Sequence, residues 1–492
     1  MKLKVALAAC LLLGMSVSGI AQPLKVRYAA STQPFTPLHS YSAGELGEQV
    51  LFFGGIRGQG LHTLTQSGGD VAFPLSVYSD QIYLVDQASQ TRYSGGVSHL
   101  SQAVRQALRH TGAAHVQIGN TLIIPGGYGP LDGGNRWTTK ASMLRINLPA
   151  VRDALRAGTP VPESAFTIVP SAAAQVAGAV GVKLGGQRWA LVGGSNFTGD
   201  YGLGELGVDP FTNIYSNTVA FFDDSSVTPA VPFKTFTDPY WLHRRDLNAL
   251  PITVNNAPAV VLHGGVFNSS APWEEPVTIG LNDAVATVHD TYLQATNQYE
   301  AASASFYSAS AGTNRVVIFG GLSYKVWDEQ YQQFYYDFLV PWVDIVTETT
   351  YANGVPVPNS EKVIGRALLP TTNTRLVLRP NIPVDDRGQV LIDSLPRNEI
   401  LLGRVFGGLQ APLPAPDPVT YPSSNVYDVY LAVGVRGDVN RDGVTNFADL
   451  NIILGQFGLT GPGLQGDLNL DNAVNFADLN IVLGNFGRNT PG

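Results

Sequence analysis

The chain has 492 residues, with 30 Lys and Arg against 38 Asp and Glu, giving a formal charge of −8 and a pI near 5.5. Only 14% of its residues are charged, against roughly 25% in an average soluble protein. Nothing in it forms the basic stripe needed to neutralise phosphates, which excludes nucleic acid as a partner. The 53 glycines and 32 prolines favour short strands joined by turns, so the composition reads as mainly β.

Residues 1–21 have the layout of a cleaved export signal. Lys2 and Lys4 give a positive start, Val5 to Val17 is apolar, and Gly19-Ile20-Ala21 offers small residues before Gln22. Cys10 is the only cysteine, so a mature chain has no disulfide and no thiol chemistry. No later apolar run approaches the roughly 20 residues that span a bilayer. The expected location is secreted, without a transmembrane anchor.

From about Lys25 to Val435 one motif recurs, a short apolar run ending in a glycine pair: Phe52-Phe53-Gly54-Gly55, Ile123-Ile124-Pro125-Gly126-Gly127, Leu191-Val192-Gly193-Gly194, Leu262-His263-Gly264-Gly265, Ile318-Phe319-Gly320-Gly321 and Val405-Phe406-Gly407-Gly408. A buried central strand reads as a continuous apolar run, and glycine at its end permits a close backbone approach that a side chain would block. Further strand-like runs follow at Ile82 to Asp86, Val219 to Asp223 and Trp342 to Asp344. The pattern resembles the kelch family, whose propeller blades carry a glycine pair at the end of the second strand. The resemblance implies a six-bladed β-propeller over 25–435, or seven blades if one is degenerate; a pair of β-sandwiches is the alternative. The spacings of 72, 67, 71, 56 and 87 residues exceed the roughly 50 of a kelch unit. The excess belongs in insertions, including a short helix within Val97 to His110 and an extended loop over Ala411 to Pro418.

Against so charge-poor a background Tyr240-Trp241-Leu242-His243-Arg244-Arg245-Asp246 stands out. It precedes the fourth glycine pair and is expected on a channel-lining first strand. There Arg244 or Arg245 would fork onto an anionic ligand and Trp241 would stack on a sugar ring, with His243 and Asp246 beside them; an internal Arg–Asp pair is the structural alternative. Trp273-Glu274-Glu275 with His289-Asp290 is a weaker acidic candidate, since adjacent carboxylates on a strand point apart. His39, His115 and His263 lack metal-ligand spacing. No nucleophile elbow, zinc helix or phosphate loop occurs.

Residues 437–492 carry the sharpest signal. Asp438, Asn440, Asp442, the carbonyl of Val444, Asn446 and Asp449 supply hard oxygens at the positions of a twelve-residue calcium loop, with Gly443 at the turn. After 29 residues the pattern returns as Asp467, Asn469, Asp471, the carbonyl of Ala473, Asn475 and Asp478. Asn472 replaces the turn glycine, as asparagine tolerates the left-handed region. Each loop runs into a helix with apolar residues at helical spacing: Leu450, Ile453, Leu454 and Phe457, then Leu479, Val482, Leu483 and Phe486. Two such loops, each followed by a helix, resemble the dockerin family. That resemblance implies two calcium ions and a cohesin-like partner bound through 437–492. In well-known dockerins small hydroxyl residues at loop positions ten and eleven touch cohesin, whereas here Phe447-Ala448 and Phe476-Ala477 stand there. A divergent partner, or phenylalanines used in the module's own core, would explain the departure. The chain thus reads as an exported propeller that binds an extracellular glycan or protein and is held on an assembly by its tail. A polysaccharide hydrolase or lyase delivered the same way is the alternative, and a calcium-stabilised cap without partner is a third reading.

Overall fold

The computed structural model describes residues 24–489 except 62–71, 132, 135, 201–210, 269–270, 282–285, 329, 332, 338–341, 397, 415–419, 441, 462–463 and 470. The export signal expected at 1–21 lies outside the described residues, as does part of the proline-rich loop. The fold is mainly β. Each glycine pair ends the second strand of an antiparallel sheet, and six such sheets follow one another along the chain.

Repeat 1 comprises Ser42–Leu46, Gln49–Phe53, Gln81–Asp86 and Thr91–Gly96; repeat 2 comprises Val116–Ile118, Thr121–Pro125, Ser142–Asn147 and Phe166–Pro170. Repeat 3 runs Val180–Gly185, Arg188–Val192, Thr218–Asp223 and Lys234–Thr237, and repeat 4 Asn248–Val254, Ala257–His263, Val277–Gly280 and Ala286–Val288. Repeat 5 is built on Ala302–Ser308, Thr313–Phe319, Ile345–Ala352 and Lys362–Arg366, with two short added strands. Its third strand begins just after Trp342 to Asp344, the run expected to form it. Repeat 6 takes Leu376–Leu378, Glu399–Phe406 and Val426–Val433 from its own stretch, but its outermost strand, Leu24–Ala30, comes from the other end of the β region. That strand pairs in unbroken register from Leu24 opposite Val433 to Ala30 opposite Tyr427, tying first repeat to last.

Side chains alternate across each strand, so both faces of every sheet are apolar and both are covered. One core joins repeats 1 and 2 through Phe53, Leu84, Ile124 and Leu144. Others join 2 to 3 (Ile123, Trp189, Phe222), 3 to 4 (Val192, Phe221, Leu262), 4 to 5 (Ile252, Val261, Val316) and 5 to 6 (Phe306, Phe319, Val429). Phe52, Tyr83, Phe406 and Val426 then join repeat 6 back to repeat 1.

The glycine pairs hold this succession together. In all six the first glycine has φ between +55° and +67° and the second between +80° and +96°, a region costly for any residue with a Cβ. The second glycine donates its N–H to the next repeat: Gly55 to His110 O, Gly127 to Val176 O, Gly194 to Arg244 O, Gly321 to Thr371 O, and Gly408 to Leu38 O of repeat 1. Next to these bonds Ser40, Gly112, Gly178, Asp246, Glu300 and Asn373 all take positive φ. Their backbones form a chain of hydrogen bonds, with Gly178 donating to Gly112, Asp246 to Gly178, Glu300 to Asp246, Asn373 to Glu300 and Ser40 to Asn373 at 2.7–3.1 Å. The first strands leave this ring and line one cavity of about 680 Å³.

The connections between second and third strands all lie on the ring side, and they carry much of the inserted length, at 54–80, 126–141, 193–217, 264–276, 320–344 and 407–425. The helix expected within Val97 to His110 is α1, Gln102–Leu108, capped by Ser101 and burying Leu100, Val104 and Leu108. A second helix, α2 (Leu148–Ala157), was legible in Asn147 as its cap, a proline in its first turn and Gly158 at φ +67° as its stop, but was not anticipated.

In the C-terminal module α3 (Phe447–Gln456) and α4 (Phe476–Gly484) both start in capping boxes, Asn446 with Asp449 and Asn475 with Asp478. The core is Val439, Ile453, Leu468, Val474 and Val482. Of the expected apolar stripes, Ile453 and Val482 are fully buried and Leu450 and Leu479 half-buried, while Leu454, Leu483, Phe457 and Phe486 face solvent. Two short helices enclose only a narrow seam, so a stripe four residues wide cannot all turn inward.

Candidate functional site

The cluster at 240–246 does not form one site. First-strand structure in repeat 4 begins only at Asn248, so 240–247 is the approach to the channel and not its wall. Arg244 is wholly buried. Its guanidinium donates to the carbonyls of Trp241 (2.8 Å), Gly264 (3.2 Å) and Glu275 (2.8 Å) and lies 4.5 Å from the centre of the Trp273 ring. Those contacts satisfy it, and burial lowers it to about 9, so it is a structural bolt and not an anion receptor. His243 stacks on Tyr215 at 3.8 Å and meets Asn217 Oδ1 at 3.0 Å. Trp241 packs against Tyr240 and Trp273. Arg245 pairs with Asp246 at 3.5 Å, the structural alternative foreseen for it.

Of the five, Asp246 alone reaches the cavity, where it meets Glu300, the next member of the ring and a residue that sequence reasoning passed over. The two carboxyls are hydrogen-bonded to each other; Asn373 Nδ2 donates to Glu300 Oε2 at 2.8 Å, and Ser40 Oγ to Asn373 Oδ1 at 3.0 Å. Burial raises both above the ordinary carboxyl value, Glu300 more strongly because the Asp246 charge adds to it, while Arg245 opposes the shift at Asp246. Glycosidase carboxyls stand about 5–5.5 Å apart in retaining enzymes and about 6.5–9.5 Å apart in inverting ones. A hydrogen-bonded pair is too close for either.

The sign of its pH effect follows. A folded-state pKa above the unfolded value means the native chain holds the extra proton, so this stabilisation is complete below about pH 4.5 and is lost as pH rises through the folded value. Glu300→Gln keeps an acceptor for Asn373 and donates to Asp246 without a second charge. Its melting temperature should exceed that of the wild type at pH 8, with the gap closing near pH 4.5; an equal gap at both pH values would contradict the raised carboxyls.

The other acidic candidate is a surface clasp, with Glu274 accepting from Tyr336 Oη (2.7 Å) and Lys325 Nζ (3.0 Å), and His289 meeting Thr278 Oγ1. His39 contacts Ser40 and Gln59, and His263 contacts Tyr351 Oη.

The two C-terminal loops share most of their hydrogen bonds, differing where Asn446 Nδ2 donates to Val444 O and Asn475 Nδ2 to Asp471 Oδ2. Asp438 accepts from the amides of Asp442 (3.1 Å) and Gly443 (2.8 Å), as Asp467 does from Asp471 (3.1 Å) and Asn472 (2.9 Å). Asp449 accepts from Val439, Asn440 and Asn446, as Asp478 does from Leu468, Asn469 and Asn475. Asn472 takes φ +66°, the role foreseen for it. Burial and the neighbouring Asp449 and Asp442 charges raise Asp438, and burial with Asp478 and Asp471 raises Asp467. Oxygens of Asp467, Asp471 and Asp478 gather within 4.8 Å of one another. That spacing fits oxygens arranged around one calcium-sized ion, whose ligands sit at about 2.3–2.6 Å, so these residues could hold a cation.

Phe447 and Phe476 are not core residues; they are 70% and 69% exposed. Each packs edge-on against the tail of the other half, Phe447 on Phe486 at 4.8 Å and Phe476 on Phe457 at 5.0 Å. With Leu454 and Leu483 they make two pseudo-symmetric apolar patches.

No family model matches the chain, and no curated protein matches it. Among solved structures it is similar to YjhT at a TM-score of 0.45 and 12% identity, over 80% of this chain and 96% of that one. Among the described residues no helix is long and apolar enough to cross a membrane.

Proposed function

We propose that the protein is exported, that residues 25–435 form a six-bladed propeller which binds an extracellular glycan or protein, and that residues 437–492 are a dockerin-like module attaching it to a cohesin-like partner through two calcium ions. The observation that carries the attachment is the duplicated loop, with the backbone bonds to Asp438 and Asp449 repeated at Asp467 and Asp478 and a close oxygen cluster in the second copy. The propeller reading is supported by the cyclic succession of cores and of glycine-pair bonds from repeat 6 back to repeat 1. Asp438, Asn440, Asp442, Val444, Asn446 and Asp449 would hold one ion, and Asp467, Asn469, Asp471, Ala473, Asn475 and Asp478 the other. Calcium would join the two ends of each loop. A binding role is favoured over a polysaccharide hydrolase because Asp246 and Glu300, the carboxyl pair in contact among the described residues of the cavity wall, lack glycosidase spacing.

Pull-down of the full chain by a panel of cohesin domains, with calcium and with chelator, tests the attachment; capture independent of calcium would overturn it. Because the two Phe patches are equivalent, Phe447→Ser or Phe476→Ser alone should change affinity about twofold. The double variant should lose about thirtyfold or more, the loss expected when a buried aromatic anchor is removed. Binding to a polysaccharide array tests the propeller's role separately.

A further inference from the structure

The cavity between the six first strands is bounded at one end by the chain of backbone hydrogen bonds. At the other, the segment 379–391 of repeat 6 crosses as a strap. Arg379 Nη2 reaches Glu48 of repeat 1 (2.8 Å), Asp386 accepts from the Gly186 amide of repeat 3 (3.1 Å), Arg387 Nη2 reaches Thr253 of repeat 4 (2.8 Å), and Val390 pairs with Phe306 of repeat 5. Glu45 and Gly47 remain exposed beside the strap, so the chamber opens on the side of repeat 1. At about 680 Å³ it is the size of a small-molecule site, and Ala43, Ala249, Ala302 and Ser303 keep its wall clear.

Two donors in that wall have no acceptor. Arg375 is partly buried in the chamber wall, and among the described residues its guanidinium makes no hydrogen bond and no ion pair. Burial lowers it to about 10, so it stays cationic. His115 is 6% exposed; its Nε2 accepts the Ala43 amide at 3.3 Å, which leaves the proton on Nδ1, and Nδ1 is buried without a partner. Arg375 and His115 are close enough to influence each other electrostatically. Buried polar atoms are almost always satisfied, and His115 Nδ1 is not, while Arg375 presents an unpaired cation to the same chamber. Glu45 attracts Arg375 but is not within ion-pair distance of it. The charge left on the ring's acid pair is offset by Arg245, and Arg387 is taken by Asp385 at 2.6 Å. Lys183 adds a further cation to the lining.

We infer that this chamber binds a small molecule through its carboxylate, with Arg375 as the anion receptor and His115 and Glu45 as flanking hydrogen-bond partners. A planar guanidinium matches a carboxylate with two parallel bonds, and a single negative charge is tolerated beside Glu45 where a phosphate dianion is not. The inference rests on the ligand-binding reading of residues 25–435 and is independent of the calcium module.

The test is calorimetric titration of the full chain with D-glucuronate, D-galacturonate and lactate, against D-glucose as the uncharged control. At least one carboxylate should bind saturably at millimolar concentration or below, with no response to glucose. Arg375→Gln should weaken that binding at least tenfold while melting like the wild type. Ser303→Phe, which fills the chamber and leaves its charges in place, should do the same. No binding by any of the three acids, equal binding of glucose, or unchanged affinity in both variants would overturn the inference. A chain that binds neutral polysaccharides on the array but none of these acids leaves the ligand-binding reading standing and removes this site alone.

Discussion

Calcium should raise the melting temperature of the C-terminal module and leave the β region nearly unmoved. A ligand bound only by the native state stabilises it by about 4 kcal/mol at a thousand times its dissociation constant. For a module whose buried core is five side chains that is a large fraction of its total stability. Scanning calorimetry of the full chain should show two transitions in millimolar calcium, with only the module's falling on chelation, and titration should count two ions. The decisive variants are Asp442→Asn and Asp471→Asn. Both side chains are exposed, and the Oδ1 of each accepts the amide two residues on, Val444 or Ala473, at 2.9 Å. Asparagine keeps that bond and removes the charge, together with the exposed bond that Asn440 or Asn469 Nδ2 donates to the second oxygen. A loss of affinity, about tenfold or more per loop given the dependence of calcium sites on ligand charge, with the apo module's melting temperature unchanged, therefore reports ligation and not loop damage. Asp449 and Asp478 would be poor choices, because each accepts three backbone amides as well. An unchanged thermogram in millimolar calcium would refute the loop assignment.

Gly126→Ala should destabilise the β region by about 2–5 kcal/mol. Left-handed φ costs a residue with a Cβ roughly 1–2 kcal/mol, and overpacking a site that cannot yield adds about 1–3 kcal/mol. A Cβ at Gly126 would sit 2.2 Å from Val176 O and 2.3 Å from Ala174 O. Val176 O is already fixed as the acceptor of the Gly127 amide. Two comparisons separate the causes. Gly47, at φ +61° with nothing within 4 Å of the added carbon, should lose only the conformational part, about 1 kcal/mol. Gly320, whose nearest neighbours are 3.1 and 3.3 Å away, should fall between. Chemical denaturation of the three variants, read in the β-region transition, gives the order; similar losses at all three would mean that the glycines serve the turn alone and not the contact between repeats.

Arg244, Asp246 and Glu300 mark the limit of reading function along the chain. Arg244 and Arg245 are adjacent and equally charged, yet one is locked to three carbonyls behind the channel and the other pairs with Asp246. Because the strand starts only at Asn248, no strand alternation governs these two side chains, and the turn before it decides where each one goes. Glu300 carries no local signal, because its partner Asp246 belongs to a different repeat. Arg375 was likewise silent: an isolated arginine becomes notable only when three dimensions place it in a cavity wall with no ion-pair partner among the described residues.

What the sequence determined by itself was everything written in short-range order. Continuous apolar runs closed by glycine pairs specified the six second strands, since only glycine accepts the φ values there. The alternating Asp and Asn of the two loops specified their turns and helix caps, because those bonds span no more than ten residues. Only the tertiary structure decided that Leu24–Ala30 completes the last sheet, that the six first strands meet around one chamber with a strap across it, and that Phe447 and Phe476 face solvent. Each of these depends on contacts between residues tens to hundreds of positions apart, fixed by how sheet faces pack and not by any local preference of the chain.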